Sequence, residues 1–214
     1  MSALYKHEEI LRLCDNKRVL HIGAVDYPFH SIRGGKDSLL HQRLQKVSKD
    51  LIGIDINKKA IRDLKRYNIK NIFYGDIVEA KYDSIVKKNK YDIIVFGDVI
   101  EHLDNPGIAL KNIAKLMSKK SILILTTPNV FNLANLINIF SKKEIVHSDH
   151  IFWPSRKTMD NLIIRSSLKI KKFQFVFSGS KKDPRTCINV LLNNIIFKLY
   201  RSLCPVLFYE IMLK

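Results

Sequence analysis

Two groups of residues stand at spacings that can do chemistry. Asp98, Glu101 and His102 lie at i, i+3 and i+4, so on a helical turn they share one face. His147-Ser-Asp-His150, followed by Phe152-Trp153, gathers two imidazoles and a carboxylate within four residues. Imidazole changes charge near neutrality, so it can take the proton of a hydroxyl that is becoming a nucleophile. His150 is the first candidate for such a base and His102 the second. The same segment also reads as a surface loop that Trp153 anchors to the core. A third set is simpler: Gly23, Asp55, Gly75-Asp76 and Gly97-Asp98 each follow directly on an apolar run.

The elements that must position these groups are short strands alternating with helices. A first helix is expected over 4–14. The first strand is Arg18–Ile22, the second Leu51–Ile54, the third Asn71–Tyr74, the fourth Tyr91–Phe96 and the fifth Ser121–Thr126. The first, fourth and fifth are almost wholly apolar, as strands covered on both faces must be. Between them, Asp37 is expected to cap a helix reaching Val47, and Asn57 one reaching Tyr67. A helix is also expected over 106–117. Residues 24–36, with Pro28, Gly34 and Gly35, read as a loop. After the fifth strand come a helix over 131–140, a polar irregular stretch over 141–154 and a helix over 155–166. Residues 169–177 alternate Lys and apolar residues, the pattern of an exposed edge strand. A helix over 186–203 and a strand over 206–213 follow. The alternation predicts an α/β fold with a mainly parallel, doubly wound sheet and helices on both faces.

Ligands of such sheets sit outside the carboxyl ends of the strands, where strand order reverses. A nucleoside explains which residues stand there. Gly23 lets backbone approach the ligand, Asp55 can accept both ribose hydroxyls, and Asp76 can accept from an adenine amino group. Asp98 falls near the middle of the sheet edge, beside the ligand's polar end. Taken singly, each glycine is equally a turn residue and each aspartate a helix cap. Four in the right order carry the reading.

The segments Val19–Gly23, Leu51–Asp55, Tyr74–Asp76 and Tyr91–Leu103, with Thr126-Thr-Pro-Asn129, resemble class I S-adenosylmethionine (SAM)-dependent methyltransferases over residues 15–170. The resemblance implies a seven-stranded sheet in the order 3-2-1-4-5-7-6 with the seventh strand antiparallel. It implies SAM as cofactor, held by His21, Gly23, Ala24, Asp26, Asp55, Ile56, Gly75, Asp76, Ile77, Gly97, Asp98 and Val99. It also implies one domain over 1–214, with a substrate-side insertion at about 130–165. Where the family carries an acidic residue and Gly-x-Gly-x-Gly, this chain has His21 and one glycine, Gly23. Residues 27–36 are extra and are expected to form a lid or a substrate loop. Asp98-x-x-Glu101-His102 is similar to the Glu-x-x-Glu-His of ubiquinone-pathway O-methyltransferases, which holds a divalent metal there. With Asp98 in the first place, no metal is assigned here. Asp149–Thr158 resembles small methyltransferases of surface-glycan pathways, which implies a sugar hydroxyl or uronate as acceptor.

Composition narrows the classes. The 214 residues carry 37 Lys+Arg against 20 Asp+Glu, a formal charge of +17. The basic residues are scattered as pairs such as Lys58-Lys59 and Lys171-Lys172, not interleaved with stacking aromatics, so nucleic acid is not the expected partner. Amino-directed nucleic-acid methyltransferases place Asn/Asp-Pro-Pro-aromatic where this chain has Gly97-Asp-Val-Ile100. Such an enzyme, or a non-catalytic SAM-binding protein, is the alternative. GxGxxG is absent, which sets aside a nicotinamide oxidoreductase. Cys14, Cys187 and Cys204 form no paired motif, there is no signal-like start and no apolar run of roughly 18 residues, so a cytoplasmic enzyme is expected. The amphipathic stretch 187–203 could rest on a membrane carrying a lipid-linked glycan.

Overall fold

A computed structural model describes residues 4–36, 38–140, 142, 144, 146–178, 197 and 199–214. Its strands are β1 (Arg18–Ile22), β2 (Asp50–Asp55), β3 (Ile72–Asp76), β4 (Lys81–Tyr82), β5 (Ile93–Gly97), β6 (Ile122–Pro128), β7 (Leu168–Val176) and β8 (Val206–Leu213). They form one sheet in the order β4-β3-β2-β1-β5-β6-β8-β7. The pairs β1–β2, β1–β5, β2–β3 and β5–β6 are parallel, and β8 runs antiparallel to both β6 and β7. Without β4 this is the expected order with its antiparallel strand. The two-residue β4 is the addition; it pairs antiparallel with the end of β3.

Helices α1 (Lys6–Cys14), α2 (His30–Gly35), α3 (Leu40–Val47), α4 (Lys58–Leu64), α5 (Ser84–Lys88), α6 (Pro106–Leu116), α7 (Leu133–Phe140) and α8 (Arg156–Arg165) connect and cover the strands. Alternate side chains of the central strands enter opposite cores. Leu20, Ile94, Phe96 and Leu123 pack with Leu110 of α6 and Ile163 of α8. Val19, Ile93, Val95 and Ile124 pack with Ile10 of α1 and Leu44 of α3. Each such buried aliphatic side chain stabilises by about 1.5–3 kcal/mol, which is why the sheet is the rigid frame. No described helix is long and apolar enough to cross a membrane.

Asn57 caps α4 as expected, its side chain accepting from Ala60 N–H, and Ser155 caps α8. Two expectations are corrected. Residues 24–36 are not all loop, because α2 forms within them. Gly34 sits in that helix since a Cβ there would stand 2.9 Å from the Tyr67 ring, so close packing and not a turn requires it. The helix ending at Val47 starts only at Leu40, with Gln42 Oε1 accepting from Leu39 N–H. Asp37 lies outside the described residues, as does most of the helix expected over 186–203. Its described end, Arg201–Leu203, is a single 3-10 turn.

The bend from β6 into the substrate-side segment is held by Asn129. Its buried amide donates to the carbonyls of Ser202 and Cys204 at 2.7 and 2.8 Å, and its Oδ1 accepts from Phe131 N–H. Asn129→Ala strands the buried Cys204 carbonyl and removes the donor to the Ser202 carbonyl. Urea unfolding should show a loss of about 2–3 kcal/mol with an unchanged denaturant slope; a loss within experimental error would refute this role.

Candidate functional site

The ends of β1, β2, β3 and β5 open onto one cleft of about 930 Å³. Strand order reverses between β1 and β5, so the loops leaving them part and leave a crevice. All twelve residues carried over for the cofactor line this cleft, from His21 and Gly23 on β1 to Asp98 and Val99 after β5. His102 and His150 line it too.

At the β1 end the backbone turns sharply. Gly23 has φ +75° and its N–H donates to Ile54 O at 2.9 Å. A Cβ there would meet Val99 Cγ2 at 2.3 Å, so both conformation and space demand glycine. Asp55 holds the loops on either side: Oδ2 accepts from Val25 N–H at 3.0 Å and Oδ1 from Asn57 N–H at 2.9 Å. Burial raises its pKa, and those backbone donors oppose the rise. The carboxylate still has acceptor capacity for a ligand beyond these backbone donors. Asp76 closes the β3 turn, Oδ1 accepting from Val78 and Glu79 N–H. Ile56 is 62% exposed on the cleft wall and Ile77 is buried beneath it. Asp26 is turned into an ion pair with Arg33 of α2. The exposed rings of Tyr27 and Phe29, from the extra segment, stand on the same wall.

Past β5 the site becomes charged and then imidazole-rich. Asp98, at φ +52°, pairs with Lys6 of α1, and its Oδ1 accepts from Thr126 Oγ1 at 2.9 Å. Burial would raise the Asp98 pKa, but the Lys6 ammonium and the two hydrogen bonds more than offset it and hold it below the usual carboxylate value. Glu101 is buried, accepts from Thr127 Oγ1 at 3.0 Å and keeps Oε1 without a partner among the described residues. Burial and the Asp98 charge push its pKa up to about 8. Glu101 O also accepts from Ile151 N–H, which fastens residues 146–154 over the cleft.

That segment brings His147 and His150 against His102. Ring centroids lie 4.7 Å apart for His102–His150 and 5.3 Å for His147–His150. One nitrogen of each of the three rings falls within 4.8 Å of the others, a spacing that a single cation could bridge. His102 Nδ1 lies 3.0 Å from Asp149 O, to which it donates, so Nε2 is the nitrogen that this bond leaves for other partners. Burial, then the charges of His102 and His147, lower the His150 pKa, so His150 is neutral at physiological pH. Beside the imidazoles a side pocket of about 280 Å³ is lined by Asn132, Asn135, His147, His150 and Trp153, and it shares Lys6 and Asp98 with the cleft.

Sequence spacing missed Lys6 and His7 as cleft residues. Nothing in the linear pattern before β1 marks Lys6 or His7; the packing of α1 over the cleft places them. His147 was visible as the partner of His150 in the quoted motif.

A family profile described as "Methyltransferase domain" matches residues 9–170. A curated relative, "Ubiquinone biosynthesis O-methyltransferase" of Pelagibacter ubique, is 28% identical over 112 residues. The match spans 50% of this chain and about half, 47%, of that relative's length. Among solved structures, a SAM-dependent methyltransferase from Archaeoglobus fulgidus superposes with TM-score 0.56 at 20% identity, covering 98% of this chain and 95% of the other. The N-methyltransferase NodS of Bradyrhizobium japonicum, bound to S-adenosylhomocysteine (SAH), gives 0.54 at 16%, covering 96% and 84%. The small RNA methyltransferase HEN1 gives 0.64 at 16%, covering 100% of this chain and 26% of the other.

Two outcomes follow from this geometry. Gly23→Ala should lose about 2–3 kcal/mol, through left-handed strain and the clash with Val99. Adding Val99→Ala should return part of that loss; strictly additive losses in the double-mutant cycle would contradict the contact. The second concerns acid. Burial is the first cause lowering the pKa of His7 and of His41, each to about 4, and of His21 well below its usual value. Unfolded, these rings titrate near 6.5, so below that pH the unfolded chain binds more protons. Stability should be full above pH 6.5 and fall as pH drops towards 4. His7→Gln should reduce that slope by about one proton, measured by urea midpoints across the range; an unchanged slope would refute it.

Proposed function

We propose, from the premise that this chain belongs to the methyltransferase-domain family of class I SAM-dependent enzymes, that it moves the methyl group of SAM onto an oxygen of a polar small molecule or glycan. The observation that carries the acceptor side is the position of His150, which lines both the cofactor cleft and the adjoining side pocket that holds Asn132, Asn135 and Trp153. In this reading the adenosine lies over the ends of β1–β3. Asp55 accepts the ribose hydroxyls, Asp76 accepts the adenine amino group, and Ile56 and Ile77 face the base. The methionine end runs along Gly23 and Ala24 towards Gly97, Asp98 and Val99. Residues 130–165 then form the substrate-side insertion of a single methyltransferase domain, and Asn132, Asn135 and Trp153 suit a ring that carries hydroxyls.

SAM binds as cofactor, and its sulfonium already activates the methyl carbon, so the protein's work is alignment and proton removal. His150 takes the acceptor's hydroxyl proton. The oxygen forms a bond to the methyl carbon as the carbon–sulfur bond breaks. The electron pair passes to sulfur and SAH leaves. The ubiquinone O-methyltransferase relative supports oxygen as the methylated atom. The net charge of +17 favours an anionic acceptor such as a uronate-bearing sugar.

A second reading rests on the His102, His147 and His150 cluster. Three imidazole nitrogens beside a backbone-anchored His102 fit a divalent cation of the zinc, nickel or cobalt kind. When bound it would lower the pKa of an acceptor hydroxyl. Transfer of labelled methyl from SAM to separate pools of glycans, phenols and short RNAs separates these proposals. An alkali-stable O-methyl ether in the glycan or phenol pool is expected. His150→Ala should lower kcat by about 10²–10⁴-fold with KM for SAM unchanged. Chelator-treated enzyme keeping full activity supports His150 as base. Loss of activity restored by zinc supports the metal. Label only in RNA, or only on nitrogen, would overturn the acceptor proposal.

A further inference from the structure

Behind the cleft wall three side chains fix one another's protons. Asn71 Nδ2 donates to Leu51 O at 2.9 Å, which leaves its Oδ1 facing His41 Nε2 at 3.0 Å. His41 Nε2 must therefore carry a proton. His41 is fully buried, and burial makes it neutral at physiological pH, so its Nδ1 is a bare lone pair. His21 Nδ1 lies 3.2 Å from that lone pair, with the rings stacked at 12°. His21 Nδ1 then carries its proton, and Nε2 of this second neutral ring is the acceptor. Each assignment is forced by the one before it. The space for the chain is built in, because a Cβ at Gly53 would stand 2.6 Å from His41 Cε1.

The outlet of this chain is the cleft. His21 is the fourth residue of β1, paired with Gly53 on one side and Val95 on the other, and it lines the cleft with Lys6, His7 and Asp98. SAM offers two sets of N–H donors, its adenine amino group and its α-ammonium. The adenine end is assigned to Asp76, beyond β2. We propose that His21 Nε2 accepts a hydrogen bond from the α-ammonium of the cofactor's methionine end, with His41 and Asn71 as positioning residues that hold its tautomer. Lys6 and Asp98 present a cation and an anion in the same wall. They match the carboxylate and ammonium of that zwitterion. A neutral directional acceptor thus stands where the resemblance leads one to expect an acidic side chain, with Asp98 supplying the negative charge. This inference rests on the cofactor placement proposed above.

The test compares SAH with 5′-methylthioadenosine, which keeps the nucleoside and lacks the amino-acid end. Two-bond ¹H–¹⁵N NMR of the cofactor-free protein should show His21 as the Nδ1–H tautomer and His41 as Nε2–H. Adding SAH, but not methylthioadenosine, should shift His21 Nε2. By calorimetry His21→Leu should weaken SAH about tenfold and leave methylthioadenosine unchanged. Asn71→Leu should give His41 mixed tautomers and a smaller, equally selective loss. An Nε2–H tautomer at His21 in the wild type, or equal losses for both ligands, would overturn the proposal, and the wild-type spectrum decides even where a variant fails to fold. If the wild type binds neither ligand, the cofactor placement fails. If it binds both equally well, this inference alone fails.

Discussion

The parallel pairing of β1 with both β2 and β5 is the constraint on which the rest depends. The chain leaves β1 in one direction to build β2 and β3 and returns on the other side as β5. Their connections therefore diverge at the carboxyl ends, and no backbone can fill the gap between them. The residues that border it are bound to the sheet by short-range rules. Gly23 turns because its N–H reaches Ile54 O, Asp55 gathers two loop N–H groups, and Asp98 follows β5 with its N–H on Thr126 O. The cleft is thus as rigid as the apolar strands that end in it.

Its electrostatics change along its length. The end bordered by β1, β2 and β3 offers carboxylates that sit among backbone donors. The middle holds the Lys6–Asp98 ion pair and Glu101, whose burial beside the Asp98 charge favours its protonated form. The far end and the rear wall are imidazoles that burial keeps neutral. In the function proposed above, a cationic sulfonium cofactor would meet negative charge near its ribose and polar end, and the acceptor would meet nitrogen lone pairs that can take up a proton, the separation that methyl transfer to oxygen calls for.

Much of this was legible in the sequence, for identifiable reasons. Short continuous apolar runs bounded by turn residues suit strands covered on both faces, so β1, β5 and β6 and their order followed from pattern and resemblance. Asp55, Asp76 and Asp98 follow their strands directly, so the cleft end of the sheet was readable residue by residue. What escaped was tertiary. Gly34 and Gly35 look like turn residues until Tyr67 is seen packed on them, so α2 was read as loop. Lys6 and His7 enter the cleft because α1 packs across β5, which no local spacing records. His41 lies twenty residues from His21, and only the folded chain brings it between His21 and Asn71.

The central claim, that the adenosine of SAM lies against Asp55, is tested most directly by calorimetric titration of SAH into the wild type and Asp55→Asn. One site per chain with sub-millimolar affinity is predicted for the wild type. The variant, titrated at a temperature where it is folded, should bind at least about fivefold more weakly, because one ribose acceptor becomes a donor. Absence of SAH binding to the wild type, or undiminished binding to Asp55→Asn, would contradict the account.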